Sequence, residues 1–222
     1  MDDSDHTVTR TGWARLAMVA AFGIAFGYIE AAVVVYLRAL FYPDGFTWPL
    51  ADLSAIEGTM RFCLLTEVER EAATLVLLAA AAGLMAQTWR RRIGYFLLSF
   101  ALWDVFYYVW LKVLLGWPES LADWDILFFI PNLWAGPVWA PLLTSGVMAW
   151  IAAGLFGARP LVMPPARILG LAACVVGIVV CFMLPGPHVT EPDYATHFPW
   201  AVFLVLHAAV VILMRRSWRR QA

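Results

Sequence analysis

The chain has 222 residues, of which 63% are hydrophobic and 14% charged, and its formal net charge is −1. A water-soluble domain is roughly half apolar and could not bury this much apolar side-chain surface. The composition therefore excludes an ordinary soluble protein and predicts an all-α integral membrane protein. The balance of charges gives no indication of a nucleic-acid partner, and none is predicted.

Six apolar runs follow one another along the chain, and a helix needs about 20 residues to cross a bilayer. The runs are residues 16–42, 72–89, 93–115, 138–156, 168–184 and 198–214. The first follows an acidic MDDSD segment and is too long for the apolar part of a cleaved signal peptide. We predict one domain over residues 1–222, a bundle of six transmembrane helices with tails at 1–15 and 215–222.

The basic residues are segregated along the chain. Eleven of the 15 fall in the two tails and in the connections after the second and fourth runs: Arg10, Arg15, Arg90, Arg91, Arg92, Arg159, Arg167, Arg215, Arg216, Arg219 and Arg220. Lys and Arg are retained on the cytoplasmic side of a membrane. The pattern therefore predicts a multi-pass protein of a bacterial-type inner membrane with both termini in the cytoplasm.

Residues 124–141, WDILFFIPNLWAGPVWAP, lie in a predicted external connection. Pro131, Pro137 and Pro141 break this apolar segment too often for a straight transmembrane helix. Irregular backbone at membrane depth must be covered by protein or be in contact with water, because its polar groups have no partners in lipid. We therefore predict an interfacial or re-entrant segment on the outer face that leads into the fourth span, with an amphipathic connector as the alternative.

The third run carries a carboxylate near its middle. Asp104 lies about eleven residues into the run, roughly 16 Å along the helix axis. Facing lipid there would cost several kcal/mol, so Asp104 must face protein or water. Tyr108 and Lys112 follow on nearly the same face, and helical side chains lean toward the N-terminus. We predict that Lys112 pairs with Asp104, helped by Tyr108 and by Arg38 across the helix interface. Snorkelling of Lys112 toward the headgroups is the alternative.

The first and third runs share a pattern. EAAVVVYLRAL from Glu30 aligns with DVFYYVWLKVL from Asp104 at a constant offset of 74 residues, which sets Arg38 over Lys112. Internal repeats are common in membrane proteins, although apolar segments also align by chance. With or without duplication, each run carries an acid within the membrane and a base two turns above it.

Further polar groups fall at similar depth. Just before the second run, Thr66 and Glu69 have the spacing of a capping box, and Glu71 is the deepest acid of that segment. His207 lies roughly 12 Å from the outer end of the sixth run. We predict a polar pocket in the outer half of the bundle, lined by Glu30, Arg38, Glu71, Asp104, Tyr107, Tyr108, Lys112, Trp134 and His207.

Small residues predict helix contacts. GIAFG, from Gly23 to Gly27, has the small-xxx-small spacing that lets two helix backbones approach closely. Cys174 and Cys181, seven residues apart in an apolar run, fit small packing residues better than a metal or redox pair.

Several kinds of chemistry can be weighed against these residues. Haem b would need two facing intramembrane histidines, and only His207 lies within a run. A metal site drawn from Glu30, Asp104, His197 and His207 has no ligand pair at i,i+3 or i,i+4 spacing. A serine nucleophile, Ser99 or Ser145, would lack the GxSxG turn. No metal and no particular cofactor is therefore predicted.

The pattern favours binding of a lipid, a quinone or a small solute, by a transporter or by a subunit of a larger membrane complex. Aromatic side chains would supply the apolar wall and the buried charges would orient the polar end of the ligand. Two other classes stay open. One is a membrane-embedded enzyme that uses Asp104 or Glu30 for acid–base chemistry with His207. The other is a structural subunit whose buried ion pairs fix helix register.

Overall fold

A computed structural model describes residues 3–51, 58–157 and 159–218, with side chains from residue 12 onward except those of residues 59 and 60. These residues form six α-helices, one two-stranded sheet and short 3₁₀ turns. The elements are α1 Asp3–Phe41, α2 Thr59–Met85, α3 Trp89–Leu115, β1 Trp124–Phe128, β2 Trp134–Pro137, α4 Trp139–Phe156, α5 Pro165–Met183 and α6 Trp200–Ser217. The predicted N-terminal tail is thus continuous with α1, and Arg219 and Arg220 lie outside the described residues.

Five helices of the described chain are long and apolar enough to cross a membrane, so this is a multi-pass membrane protein. They span Gly12–Phe41, Trp89–Leu115, Trp139–Phe156, Pro165–His188 and Tyr194–Ser217. The sixth helix, α2, is not among them. Its charged residues Glu67, Glu69, Arg70 and Glu71 leave only residues 72–85 as an uninterrupted apolar stretch. The count of six spans stays a prediction.

The GIAFG segment packs α1 directly against α3. Gly23 lies against Leu102, and Gly27, one turn later, lies against the backbone of Trp103 and Tyr107. Because both sets of contacts advance along the chain together, the two helices run parallel. A Cβ on Gly27 would stand 2.8 Å from the Trp103 carbonyl oxygen. The small-residue contact that the sequence predicts is therefore present.

We expect Gly27→Ala to force α1 away from α3 and to destabilise the protein by about 1–3 kcal/mol, as overpacking does elsewhere. Gly83→Ala in α2 is the matched control, since a Cβ there would meet no atom within 4 Å. The measurement is the midpoint of thermal unfolding in detergent. Equal midpoints for the two variants would contradict the close approach.

The connections alternate between two ends of the bundle. At one, Arg90 Nη2 donates to the Gly157 carbonyl at 2.7 Å, and Arg167 Nη1 donates to the Arg216 carbonyl at 3.0 Å. These bonds join the start of α3 to the end of α4, and the start of α5 to the end of α6. We call this the basic end and the opposite one the loop end. Neighbours in sequence among α3 to α6 therefore run antiparallel.

Aromatic rings close the loop end. Trp48, Trp124 and Tyr194 come from three different connections, and their ring centroids lie 4.9 to 5.6 Å apart. Nearby, the Leu50 N–H donates to the Val189 carbonyl at 2.8 Å. We call these three rings the aromatic lid. Their contacts hold the connections at this end together as one layer.

Residues 124–137 form a β-hairpin, which the sequence analysis did not predict. Strands β1 and β2 pair antiparallel. At its tip, the Phe128 ring centroid is 6.1 Å from that of Trp103, and the Phe129 N–H donates to Glu71 at 2.9 Å. Trp103 and Glu71 each lie 12 residues from the loop end of their helices, roughly 18 Å along the axis. The tip thus lies between the helices, and its entry into the bilayer stays a prediction.

A hydrogen-bonded turn connects α3 to the hairpin. Asp123 Oδ2 accepts from the Glu119 N–H at 2.7 Å and from the Ser120 N–H at 3.2 Å, while Oδ1 accepts from Ser120 Oγ at 2.8 Å. Desolvation acts to raise the pKa of Asp123, but the bonds from Ser120 and Glu119 outweigh it and hold the pKa below its ordinary value. The Val138 N–H also donates to the Asp123 carbonyl at 2.9 Å, which closes the base of the hairpin.

Candidate functional site

A cavity of about 470 Å³ lies between the helices and the hairpin tip, a size typical of small-molecule sites. Its wall is mostly apolar, with side chains such as Phe100, Ile178 and Phe182. Val175, on α5, lines the cavity and is 56% exposed. The cavity therefore opens sideways along α5. Its polar lining includes Glu30, Arg38, Tyr42, Glu67, Glu71, Asp104, Tyr107, Tyr108, Asp125, Thr144, Ser145 and His207.

The structure brings most of the predicted pocket residues to this one cavity. Eight of the nine line it: Glu30, Arg38, Glu71, Asp104, Tyr107, Tyr108, Trp134 and His207. Lys112 lies outside it. Glu67, Asp125, Thr144 and Ser145 line the same cavity and were not among the predicted residues. The role of all these residues in ligand binding stays a prediction.

The predicted pairing of Lys112 with Asp104 is wrong. Lys112 Nζ donates to the carbonyls of Gly116 and Pro118, both at 2.8 Å. Lys112 lies in the last turn of α3, where backbone carbonyls have no partner within the helix. A lysine there satisfies such carbonyls and keeps its ammonium group exposed, so it has no reason to enter the bundle. The predicted contact of Arg38 with Asp104 is also absent, because Arg38 pairs with Asp125.

Asp104 instead takes a hydroxyl partner. Ser145 Oγ of α4 donates to Asp104 Oδ2 at 2.8 Å. Tyr108, predicted to assist, has a buried hydroxyl with no hydrogen-bond partner of good geometry among the described residues. No cation of the described chain forms an ion pair with Asp104. The carboxyl group therefore faces the cavity with one hydrogen bond and further acceptor capacity.

Glu30 and Glu67 are both held by Arg70. The Arg70 guanidinium donates to the two Glu30 oxygens, each at 2.6 Å, and through Nε to Glu67 Oε2 at 2.8 Å. Such a two-pronged contact matches the planar fork of an arginine to a carboxylate. We call these three residues the Arg70 clamp. It connects α1 to α2, and Arg70 was not predicted as part of the site.

The predicted capping box at Thr66 and Glu69 is wrong. Helix α2 begins at Thr59, seven residues before Thr66, and Thr66 Oγ1 donates to the Phe62 carbonyl at 3.0 Å. The acids of this segment therefore lie inside a helix, where free N–H groups are not available. Glu67 binds Arg70 and Glu71 binds the hairpin instead.

A second buried ion pair joins α1 to the hairpin. Arg38 Nη2 lies 3.1 Å from Asp125 Oδ1, and their side chains are 11% and 3% exposed. Tyr107 Oη donates to Asp125 Oδ2 at 3.0 Å. The Arg38 guanidinium also lies over the Phe46 and Trp117 rings, 4.1 and 3.8 Å from their centroids. Asp125 thus fixes the hairpin against α1 and α3 along one wall of the cavity.

His207 is oriented by its own helix. Its Nδ1 lies 2.9 Å from the Phe203 carbonyl, which can only accept, so Nδ1 carries the proton. Nε2 is then free to accept from Thr144 Oγ1 at 3.0 Å, and the single proton of that hydroxyl also has the Ala140 carbonyl within reach at 3.1 Å. Thr144 and Ser145 are neighbours on α4, so His207 and Asp104 bind adjacent hydroxyl groups. Ser99, the other serine considered, is fully buried and donates to the Tyr95 carbonyl, away from His207.

Two carboxyl groups of the cavity lack a cationic partner within the described part of the chain. Glu71 accepts from the Phe129 N–H and Asp104 accepts from Ser145. Three buried donors of the cavity wall form no hydrogen bond of good geometry among the described residues: Trp134 Nε1, Trp103 Nε1, which lies near Glu30, and Tyr108 Oη, which lies near Asp125. The cavity therefore offers free acceptors and free donors within a mostly apolar wall.

The two segments of the 74-residue offset have different surroundings. Glu30 is bound by Arg70, whereas the aligned Asp104 is bound by Ser145. Arg38 pairs with Asp125, whereas the aligned Lys112 binds backbone carbonyls. The shared pattern does not produce shared contacts, and a duplication stays a prediction.

Comparison with known proteins gives no further guide: no protein-family model matches the sequence, and no curated protein or solved structure matches it either. The cavity and its residues are therefore the basis for assigning a function.

Proposed function

We propose that the cavity binds a membrane-soluble amphiphile, a lipid, a quinone or another small solute, that enters sideways from the bilayer along α5. One observation carries the proposal: Asp104 and Glu71 face a mostly apolar cavity without an ion-pair partner among the described residues. Buried polar groups without partners are costly, and the polar head of a ligand would supply the missing partner.

The lining residues suggest how such a ligand is oriented. Its polar head would lie near Asp104, with the Tyr108 hydroxyl one helical turn further along α3. Its apolar body would lie along Val179 and Phe182 of α5, toward the lateral opening. A mostly apolar site with a few convergent polar groups is typical of small-molecule binding.

A location in a bacterial-type inner membrane with both termini in the cytoplasm completes the proposal. It is supported by Arg90 and Arg167, which lie at the basic end, and by the rule that such residues stay in the cytoplasm. The aromatic lid would then lie at the outer interface, where Trp and Tyr are favoured. The protein would act as a transporter or as a subunit of a membrane complex.

A membrane-embedded enzyme is a second candidate, favoured by the 3.0 Å contact between Thr144 Oγ1 and His207 Nε2. A hydroxyl group next to an oriented imidazole is the arrangement of an activated nucleophile. Of the two acids considered for this chemistry, Glu30 is bound by Arg70, whereas Asp104 has no ion-pair partner among the described residues and lines the cavity. The ion pairs of Arg38 and Arg70 support the third candidate, a structural subunit.

The test is to fill the cavity and to look for the bound molecule. Val179→Trp would occupy the space beside α5, and Val176→Trp is the matched control because Val176 is 62% exposed and does not line the cavity. Both variants and the wild type would be extracted gently and analysed by mass spectrometry. We expect Val179→Trp to reduce a co-purifying molecule at least about tenfold, and Val176→Trp to retain it.

Equal amounts of the same molecule in both variants would contradict the proposal, as would a wild type that carries no molecule, lipid included, in excess over Val179→Trp. A substrate and its reaction product found together in the wild type would favour the enzyme.

A further inference from the structure

The connection between α5 and α6 brings two histidines and a glutamate together at the loop end. The ligand atoms of His188, Glu191 and His197 all lie within 4.8 Å of one another. His188 Nδ1 is 2.9 Å from Glu191 Oε2, and His197 Nε2 is 3.8 Å from the same oxygen. This cluster is separate from the cavity residues and was not predicted from the sequence.

Short turns hold these residues in place. The His188 N–H donates to the Pro185 carbonyl and the Glu191 N–H to the His188 carbonyl, both at 2.9 Å. The Tyr194 N–H then donates to the Glu191 carbonyl at 3.2 Å. Because Pro185 fixes its own φ and the turns follow directly on one another, the backbone brings His188 and Glu191 to one side without any long-range contact.

His197 provides a second, independent observation. Its Nε2 atom is buried and has no hydrogen-bond partner within the part of the chain that the structure describes. Besides Glu191, the nearest charged atom is Asp193 Oδ2, at 3.9 Å. A buried ring nitrogen that faces two carboxylates at nearly 4 Å, with no hydrogen bond to either, leaves a position that a cation can fill.

We propose that His188, Glu191 and His197 bind a borderline divalent cation of the Zn²⁺ class, with Asp193 or a water molecule as the fourth ligand. Imidazole and carboxylate are common zinc ligands, with bonds of about 2.0–2.2 Å, which sets tetrahedral ligands roughly 3.4 Å apart. The distances of 2.9 and 3.8 Å to Glu191 lie on either side of that value. Ca²⁺ and Mg²⁺ prefer oxygen ligands and would not use the imidazoles.

Binding requires one adjustment of the rings. The His188 and His197 rings are stacked, with centroids 3.6 Å apart and planes 5° from parallel. A metal ion lies near the plane of each imidazole that binds it, so one ring must turn about its Cβ–Cγ bond. The side chains are 35% and 31% exposed, which leaves room for that rotation.

The ion would stabilise the loop end. His188 lies at the start of the connection and His197 at its end, so one ion would cross-link its two halves. Val189, next to His188, accepts the hydrogen bond from Leu50, and Tyr194 belongs to the aromatic lid. Zn²⁺ is therefore expected to hold the lid in place above the cavity.

The test uses the full-length protein with an affinity tag that contains no histidine, stripped with a chelator and titrated with Zn²⁺ by calorimetry. Co²⁺ absorption would report the coordination geometry. We expect one ion per chain and a raised midpoint of thermal unfolding. His188→Ala and His197→Ala should each weaken binding at least about tenfold, whereas His6→Ala should bind like the wild type.

Glu191→Gln is a further variant in case the histidine variants do not fold. It replaces an exposed carboxylate by an amide of the same shape and should also weaken Zn²⁺ binding. The proposal is overturned if the wild type binds no stoichiometric Zn²⁺, or if Glu191→Gln and the folded histidine variants all bind it like the wild type. Neither result depends on what the cavity binds.

Discussion

Arg70→Met is expected to destabilise the folded protein by about 3–5 kcal/mol, the range found when one partner of a buried ion pair is removed. Arg70 neutralises two carboxylates, and the side chains of Glu30 and Glu67 are only 12% and 7% exposed. Without the guanidinium, both acids must take up protons or draw water into the bundle. Chemical unfolding in detergent would measure the loss.

The matched control is Arg61→Gln, since Arg61 is an exposed residue of the same helix and is expected to change stability by less than about 0.5 kcal/mol. A triple variant that combines Arg70→Met with Glu30→Gln and Glu67→Gln should recover much of the stability, because it removes the uncompensated charges. If Arg70→Met unfolds like Arg61→Gln, the Arg70 clamp contributes nothing to folding.

Arg38→Met is expected to have an effect of similar size, about 3–5 kcal/mol, and to loosen the hairpin selectively. Asp125 would keep the hydrogen bond from Tyr107 but lose its cation, and its side chain is only 3% exposed. Hydrogen exchange is then followed by mass spectrometry in the variant and in the wild type. The increase in exchange rate over the wild type should be larger in β1 and β2 than in α4.

Asp44→Asn is the control for a change of net charge at the loop end. Because Asp44 is exposed, this variant should leave the exchange of the hairpin unchanged. Adding Asp125→Asn to Arg38→Met should slow the exchange of the hairpin again, since an amide in place of the carboxylate needs no cation. Unchanged exchange in Arg38→Met would mean that the strands are held by their backbone pairing and by aromatic packing alone.

The helices could be predicted from the sequence because each long apolar run has one physical solution in a membrane. The runs 93–115 and 138–156 correspond to Trp89–Leu115 and Trp139–Phe156. The start of α2 could not be found in this way. The first turns of α2 carry charged residues, and a search for apolar runs assigns such residues to a loop. The helix begins at Thr59.

The hairpin was missed because its sequence carries no strand periodicity. Trp124 and Asp125 are both buried although they are successive residues on opposite faces of β1. Protein covers both faces of the strand near its start, so its sequence shows a run of apolar residues without alternation. Prolines follow this run and hide the strand further. Pro137 lies in β2, which is an edge strand because the sheet has two strands, and edge strands tolerate proline.

The charged residues were found more reliably than their partners. Burial of Asp104 and Glu30 follows from their depth in an apolar run, and both line the cavity. The pairing of a cation with an acid depends on how the helices pack. Spacing along α3 alone predicted Lys112 as the partner of Asp104, and that prediction is wrong. Arg70 reaches Glu30 and Arg38 reaches Asp125 over 40 and 87 residues of sequence, a separation at which no local pattern operates. Only the contact of Arg70 with Glu67 has a local spacing among these pairs, i,i+3.

The opening beside Val175 also decides which reservoir the cavity would exchange with. A molecule that enters there comes from the lipid phase, so occupancy would follow its mole fraction in the bilayer rather than its concentration in water. Detergent tails have the same access and the same apolar character, and they would compete for the site during extraction. Affinity for an amphiphile should therefore be higher in lipid nanodiscs than in micelles, and in micelles it should fall as detergent displaces lipid.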